Sequence, residues 1–128
     1  MTHTGIDGCP AGWIAISHRD GQLDWAVAAT LESLMQQLPS TGPIFIDMPI
    51  GLSTDGDRAC DVAARHFLGS KRRTSIFSAP LRQLLECTSH QQANILSRTL
   101  QNKGLSIQSW HIVPKIRAVD MHLQQQSV

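Results

Sequence analysis

Between Pro43 and Leu52 the chain runs Pro-Ile-Phe-Ile-Asp-Met-Pro-Ile-Gly-Leu, with one carboxylate, Asp47, among large apolar side chains. Pro43 and Pro49 leave too few residues between them for a helix, because proline removes a backbone donor and clashes with the preceding turn. A short apolar run without alternation, bounded by Pro and Gly, predicts a strand buried on both faces in the middle of a parallel sheet. An aspartate is costly there unless something pairs with it. Its place near the strand's end is where open α/β sheets put their chemistry. Asp47 is therefore the residue around which a site is expected.

The segments before that strand read as a meander. Residues 4–8 predict a short strand that opens into the glycine-bearing loop 8–12, and Trp13-Ile14-Ala15-Ile16-Ser17 predicts a second strand. Asp20-Gly21 is a two-residue hairpin signal, and the alternating segment 23–28 supplies a third strand. Thr30 is a plausible N-cap for a helix carrying Leu31, Leu34, Met35 and Leu38, which the segment 39–43 ends. The order β-β-β-α-β lets the last strand lie parallel to the first through a crossover, bringing Asp7 and Asp47 onto adjacent strands.

Further on, a helix is expected from about Asp57, with Cys60, Ala63, Ala64, Phe67 and Leu68 as its apolar stripe and Gly69 as its stop. Asp61 and Arg65 stand at i,i+4 spacing and are expected to pair. The basic run Lys71-Arg72-Arg73 follows. Ser89 with Gln92 forms a capping box for a helix ending at Lys103-Gly104. Pro114 is placed in or just before the first turn of a last helix with the stripe Ile112, Ile116, Val119 and Leu123. The polar tail 124–128 is expected to fray.

At 128 residues the chain is expected to form a single domain, residues 1–128, and its formal net charge of +1 gives no global attraction to nucleic acid or membrane. Three widely spaced cysteines and no apolar run of membrane-spanning length predict a soluble, cytoplasmic protein with free thiols and no membrane partner. The six histidines show no metal-ligand spacing, so zinc is not expected.

Several short pieces occur in an order that resembles a known family. They are Gly5-Ile6-Asp7-Gly8-Cys9, Gly12-Trp13, the stretch 46–52, Arg58-Ala59-Cys60-Asp61, Ala64-Arg65, Leu68-Gly69, Ser75-Ile76-Phe77 with Pro80, Lys103-Gly104-Leu105-Ser106 with Gln108, and Pro114-Lys115-Ile116. The chain resembles the predicted nucleases with a ribonuclease H-like fold, grouped as domain of unknown function 429. The resemblance implies an α/β fold with a ribonuclease H-like β-β-β-α-β core, additional helices, and acidic residues on the first and fourth strands. Relatives of this kind continue into a fifth strand bearing His-Pro-Glu. This sequence contains no His-Pro-Glu, so it is read as truncated before the fifth strand, without the downstream acidic ligand.

The expected chemistry is metal-dependent hydrolysis of nucleic acid. Asp7 and Asp47 would be the catalytic and metal-holding carboxylates for Mg²⁺ or Mn²⁺, which need few protein ligands. Arg58, Asp61, Arg65, Arg72, Arg73 and Ser75 are the candidate substrate contacts, guanidinium groups being suited to bidentate phosphate binding. The plainer readings are a turn aspartate capping Gly8, a solvated helix face and a charged loop. Two other functions compete. One is a catalytically incomplete domain that binds nucleic acid or self-associates, and the other is a nucleotide-binding domain of the kinase-like branch using the 8–12 loop. An exposed sheet edge left by a missing strand predicts a homodimer.

Overall fold

The computed structural model describes residues 1–39 and 41–127, so the parts of the 39–43 breaker and the polar tail that fall on Ser40 and Val128 lie outside the described residues. The elements are β1 (His3–Cys9), β2 (Gly12–Arg19), β3 (Gln22–Ala28), α1 (Leu31–Gln37), β4 (Ile44–Ile46), α2 (Ala59–Arg72), α3 (His90–Gln101) and α4 (Ile107–Gln126). Short 3-10 turns cover Arg73–Ser75 and Arg82–Glu86. The protein is mixed α/β. Its residues form two compact units: Met1–Met48 with the segment from Ala118 onward, and Pro49–Arg117.

In the first unit the four strands form one mixed sheet in the order β3-β2-β1-β4. β1, β2 and β3 are the expected antiparallel meander, with Asp7 opposite Ile14 and Ile14 opposite Val27. Asp20 (φ 50°) and Gly21 (φ 81°) both take left-handed conformations, as a type I′ hairpin turn demands. The turn between β1 and β2 is equally tight, since Cys9 already pairs with Gly12. Gly12 has φ 127°, and a Cβ there would sit 2.5 Å from the Ala28 carbonyl oxygen.

Thr30 caps α1, its hydroxyl accepting the Ser33 N–H at 3.2 Å. Leu31 and Leu34 are then buried in a core with Ile6, Trp13, Ala15, Ala28 and Val119. The helix thus covers one face of the sheet and returns the chain to β4, which lies parallel to β1 with Ile6 beside Ile46.

β4 departs from the fully buried strand expected of its sequence. It is three residues long and stands at the sheet's edge, with Ile44 and Phe45 36% and 63% exposed. Strand alternation explains the pattern: Ile46 turns toward the core, whereas Phe45 turns to the opposite face, which is open.

The second unit is built from helices and turns. α2 loses helical geometry at Gly69 (φ 72°, ψ −178°), the residue expected to stop it, and a last turn carries on to Arg72. The Ser89 hydroxyl accepts the Gln92 N–H at 3.1 Å and so caps α3, while the Gln92 side chain reaches back to the Thr88 N–H at 2.9 Å, one residue before the cap N–H that a full capping box engages. Its core gathers Leu81, Leu84, Cys87, Ala93 and Leu105.

α4 starts earlier than expected and keeps Pro114 in its interior. Ser106 explains the early start, because its hydroxyl accepts the Ser109 N–H at 3.1 Å and acts as a cap. The polar tail, expected to fray, is helical through Gln126. Among the described residues no helix is long and apolar enough to cross a membrane.

Candidate functional site

Period-2 alternation sorts the first unit's sheet into two faces. Thr4, Ile6, Trp13, Ala15 and Ser17 are buried on the α1 side. Gly5, Asp7, Ile14, Ile16, Trp25, Val27 and Phe45 occupy the other. Asp7 lies near the end of β1, where its Oδ1 accepts the Gly8 N–H at 2.7 Å. Asp47 follows directly on β4, and its N–H donates to the Ile6 carbonyl at 3.0 Å. That bond belongs to the Ile6–Ile46 pair, the last of the parallel ladder, so Asp7 and Asp47 each follow a member of that pair and stand as neighbours at one trough.

Both aspartates line a single shallow trough of about 450 Å³ with Gly5, Ile14, Ile16 and Phe45. Its location follows from topology. From β1 the chain builds β2 and β3 on one side and β4 on the other, so the C-terminal ends of β1 and β4 flank the point where the strand order reverses. Open sheets place ligands at such crevices. The Asp47 carboxylate has no hydrogen-bond partner among the described residues, and Asp7 is held only by Gly8.

These donors fit a hard divalent cation. Mg²⁺ and Mn²⁺ take oxygen ligands, and Mg²⁺ is commonly held by one or two carboxylates with several waters retained. Among the described residues no cluster of three or more His, Cys, Asp or Glu side chains suited to a metal ion occurs, and the carboxylates at the trough are this aspartate pair.

The remaining candidates belong to the second unit. Arg58 and Asp61 engage each other through Nε–Oδ2 at 2.8 Å and Nη2–Oδ1 at 2.7 Å, while Nη1 donates to the Ile50 carbonyl at 2.9 Å. The Asp61 carboxylate raises the Arg58 guanidinium pKa further, and the pair staples the 50–52 loop to the start of α2. Asp61 is thus occupied, and the expected Asp61–Arg65 pair is replaced by a longer-range network. Arg65 reaches Asp57 at 3.3 Å and the Ser78 hydroxyl at 2.9 Å, and Lys103 meets the other Asp57 oxygen at 2.8 Å. Local spacing cannot reveal this, because Lys103 lies 46 residues from Asp57.

Arg72 and Arg73, at the end of α2 and in the 3-10 turn, are exposed, and their side chains make no hydrogen bond or ion pair among the described residues. Ser75 is exposed in the same turn. These two guanidinium groups remain available to an anion.

The class so defined is a mixed α/β protein with paired carboxylates at the switch point of its sheet. The family model described as "Protein of unknown function (DUF429)" matches residues 5–128, and the chain belongs to that family. Neither a curated protein nor a solved structure gives a match.

Proposed function

We propose that the protein is a metal-dependent phosphodiesterase acting on nucleic acid, built on a ribonuclease H-like sheet. The observation that carries this reading is the adjacency of Asp7 and Asp47 at the C-terminal ends of two parallel strands, both facing one open trough. The β3-β2-β1-β4 order, with β4 parallel to β1, supports the ribonuclease H-like assignment.

Asp7 and Asp47 would hold Mg²⁺ or Mn²⁺, which when bound supplies activation of water and stabilisation of charge on the reacting phosphate. The chain's own contributions are positional. The Gly8 N–H fixes the Asp7 carboxylate, and the Asp47 backbone is fixed by its hydrogen bond to Ile6, so both donors are pre-set by the sheet. In the second unit the exposed guanidinium groups of Arg72 and Arg73, with Ser75 in the same turn, are suited to binding phosphate. Arg58 and Asp61 support these contacts by fixing the start of α2, and Arg65 by its ties to Asp57 and Ser78. In the net reaction water adds to phosphorus, one P–O ester bond breaks, and the leaving oxygen takes up a proton.

Turnover of single-stranded, duplex and branched DNA and RNA in the presence of Mn²⁺ tests the reading. Hydrolysis that falls roughly 100-fold or more in Asp7→Asn and Asp47→Asn is the expected result. Hydrolysis that survives in both variants contradicts it. Nucleic-acid binding without hydrolysis would favour the catalytically incomplete binding domain, and ATP hydrolysis the kinase-like branch.

A further inference from the structure

The open face of the first unit's sheet carries more than the aspartates. In register across β3, β2, β1 and β4, one row of this face reads Trp25, Ile16, Gly5, Phe45. Trp25 is 74% exposed and Phe45 63%. Leu23, Ile16 and Val27 add further exposed apolar surface at 71%, 51% and 39%. Contiguous apolar surface of this kind marks an interaction site.

The row is shaped as a projection beside a depression. Trp25 stands out from β3, and two strands away, about 10 Å across the sheet, Gly5 has no side chain. A Cβ built on Gly5 would meet nothing within 4 Å, and the trough lies at this point between Ile16 and Phe45. A two-fold symmetric interface requires a surface complementary to itself, and a ring projecting beside a slot on one face meets that requirement.

We infer that this face binds a second copy of the chain, the Trp25 indole of each copy entering the slot above Gly5 of the other. Without a bound metal ion the charged side chains at the trough are the carboxylates Asp7 and Asp47, which repel a phosphate backbone and leave the apolar row to a protein surface. Area agrees. An aromatic side chain buries about 150–250 Å², so at these exposures the five apolar side chains offer roughly 500 Å² per copy. The pair then reaches about 1,000 Å², the threshold size of a biological interface and the range of weak, transient ones. Such a dimer is modest in affinity, and the aspartates line the same trough that takes the indole.

Sedimentation or light scattering on the full chain reads the mass between about 1 and 100 μM, the range matched to an interface of this size. A doubling of mass with concentration is expected, and Trp25→Arg should abolish it. Gly5→Val is the decisive variant. It adds apolar surface at a roomy strand position and should still weaken the dimer at least tenfold by filling the slot, with the circular dichroism spectrum unchanged. Nonspecific apolar stickiness gives the opposite sign. Ile95→Arg, on the exposed surface of α3 at 58% exposure, should leave the dimer intact. A monomer at every concentration, a Gly5→Val chain that associates as well as or better than the wild type, or dissociation by Ile95→Arg would each overturn the inference. A monomer whose Trp25 emission is quenched by a short single-stranded oligonucleotide would overturn it in favour of base stacking.

Discussion

Asp57 sits between Lys103 at 2.8 Å and Arg65 at 3.3 Å, and the Lys103 hydrogen bond holds its carboxyl below the ordinary value of 3.8. A folded-state pKa below the unfolded one stabilises the protein above the unfolded value, and that stability is lost as pH falls through the folded value. Urea unfolding at a series of acid pH values should therefore show a shallower loss of stability in Asp57→Asn than in the wild type. Identical slopes would mean that the network is too solvated to matter, since the carboxylate is 41% exposed. Burial pushes the Cys87 thiol up in the same unit, so the exposed Cys60 should react first with a thiol reagent. At this scale the neighbouring placement of Asp7 and Asp47 was legible in the sequence, because the β-β-β-α-β order sets their strands side by side. The fate of the arginines was not. Whether Arg58 meets Asp61 or Arg65 does is decided by helix entry and by partners distant in sequence, which spacing along one helix does not encode.

Elements with a local cause matched their sequence signals. Asp20-Gly21 made its hairpin, Thr30 and Ser89 capped their helices, and Gly69 broke α2. β4 differs from its sequence expectation because a continuous apolar run records the composition of a strand and not whether another element covers it. α4 begins before the point its sequence predicts, because Pro114 reads as a start signal whereas Ser106 supplies the cap and the helix carries a proline further along. The β1–β2 turn permits a sharp test. Gly12→Ala places a Cβ 2.5 Å from the Ala28 carbonyl oxygen at a left-handed φ, so a loss of about 1–3 kcal/mol is expected. Equilibrium denaturation would measure it, and a neutral result would require the β3–α1 corner to shift freely.

For the whole molecule, the order β-β-β-α-β and the parallel placement of β4 against β1 follow from pattern and handedness rules, and both are present. The division into two compact units was not legible, because no linker or composition change marks Met48–Pro49, and α4 contributes residues to both. The central claim is that the sheet alone pre-sets a divalent-cation site from two carboxylates. Its most direct test is a Mn²⁺ calorimetric titration of the wild type beside Asp47→Asn, with folding of both checked by circular dichroism. Binding at one site in the wild type, lost in Asp47→Asn, is expected. A well-folded wild type that binds no Mn²⁺, or an Asp47→Asn chain that binds it as well as the wild type, would contradict it.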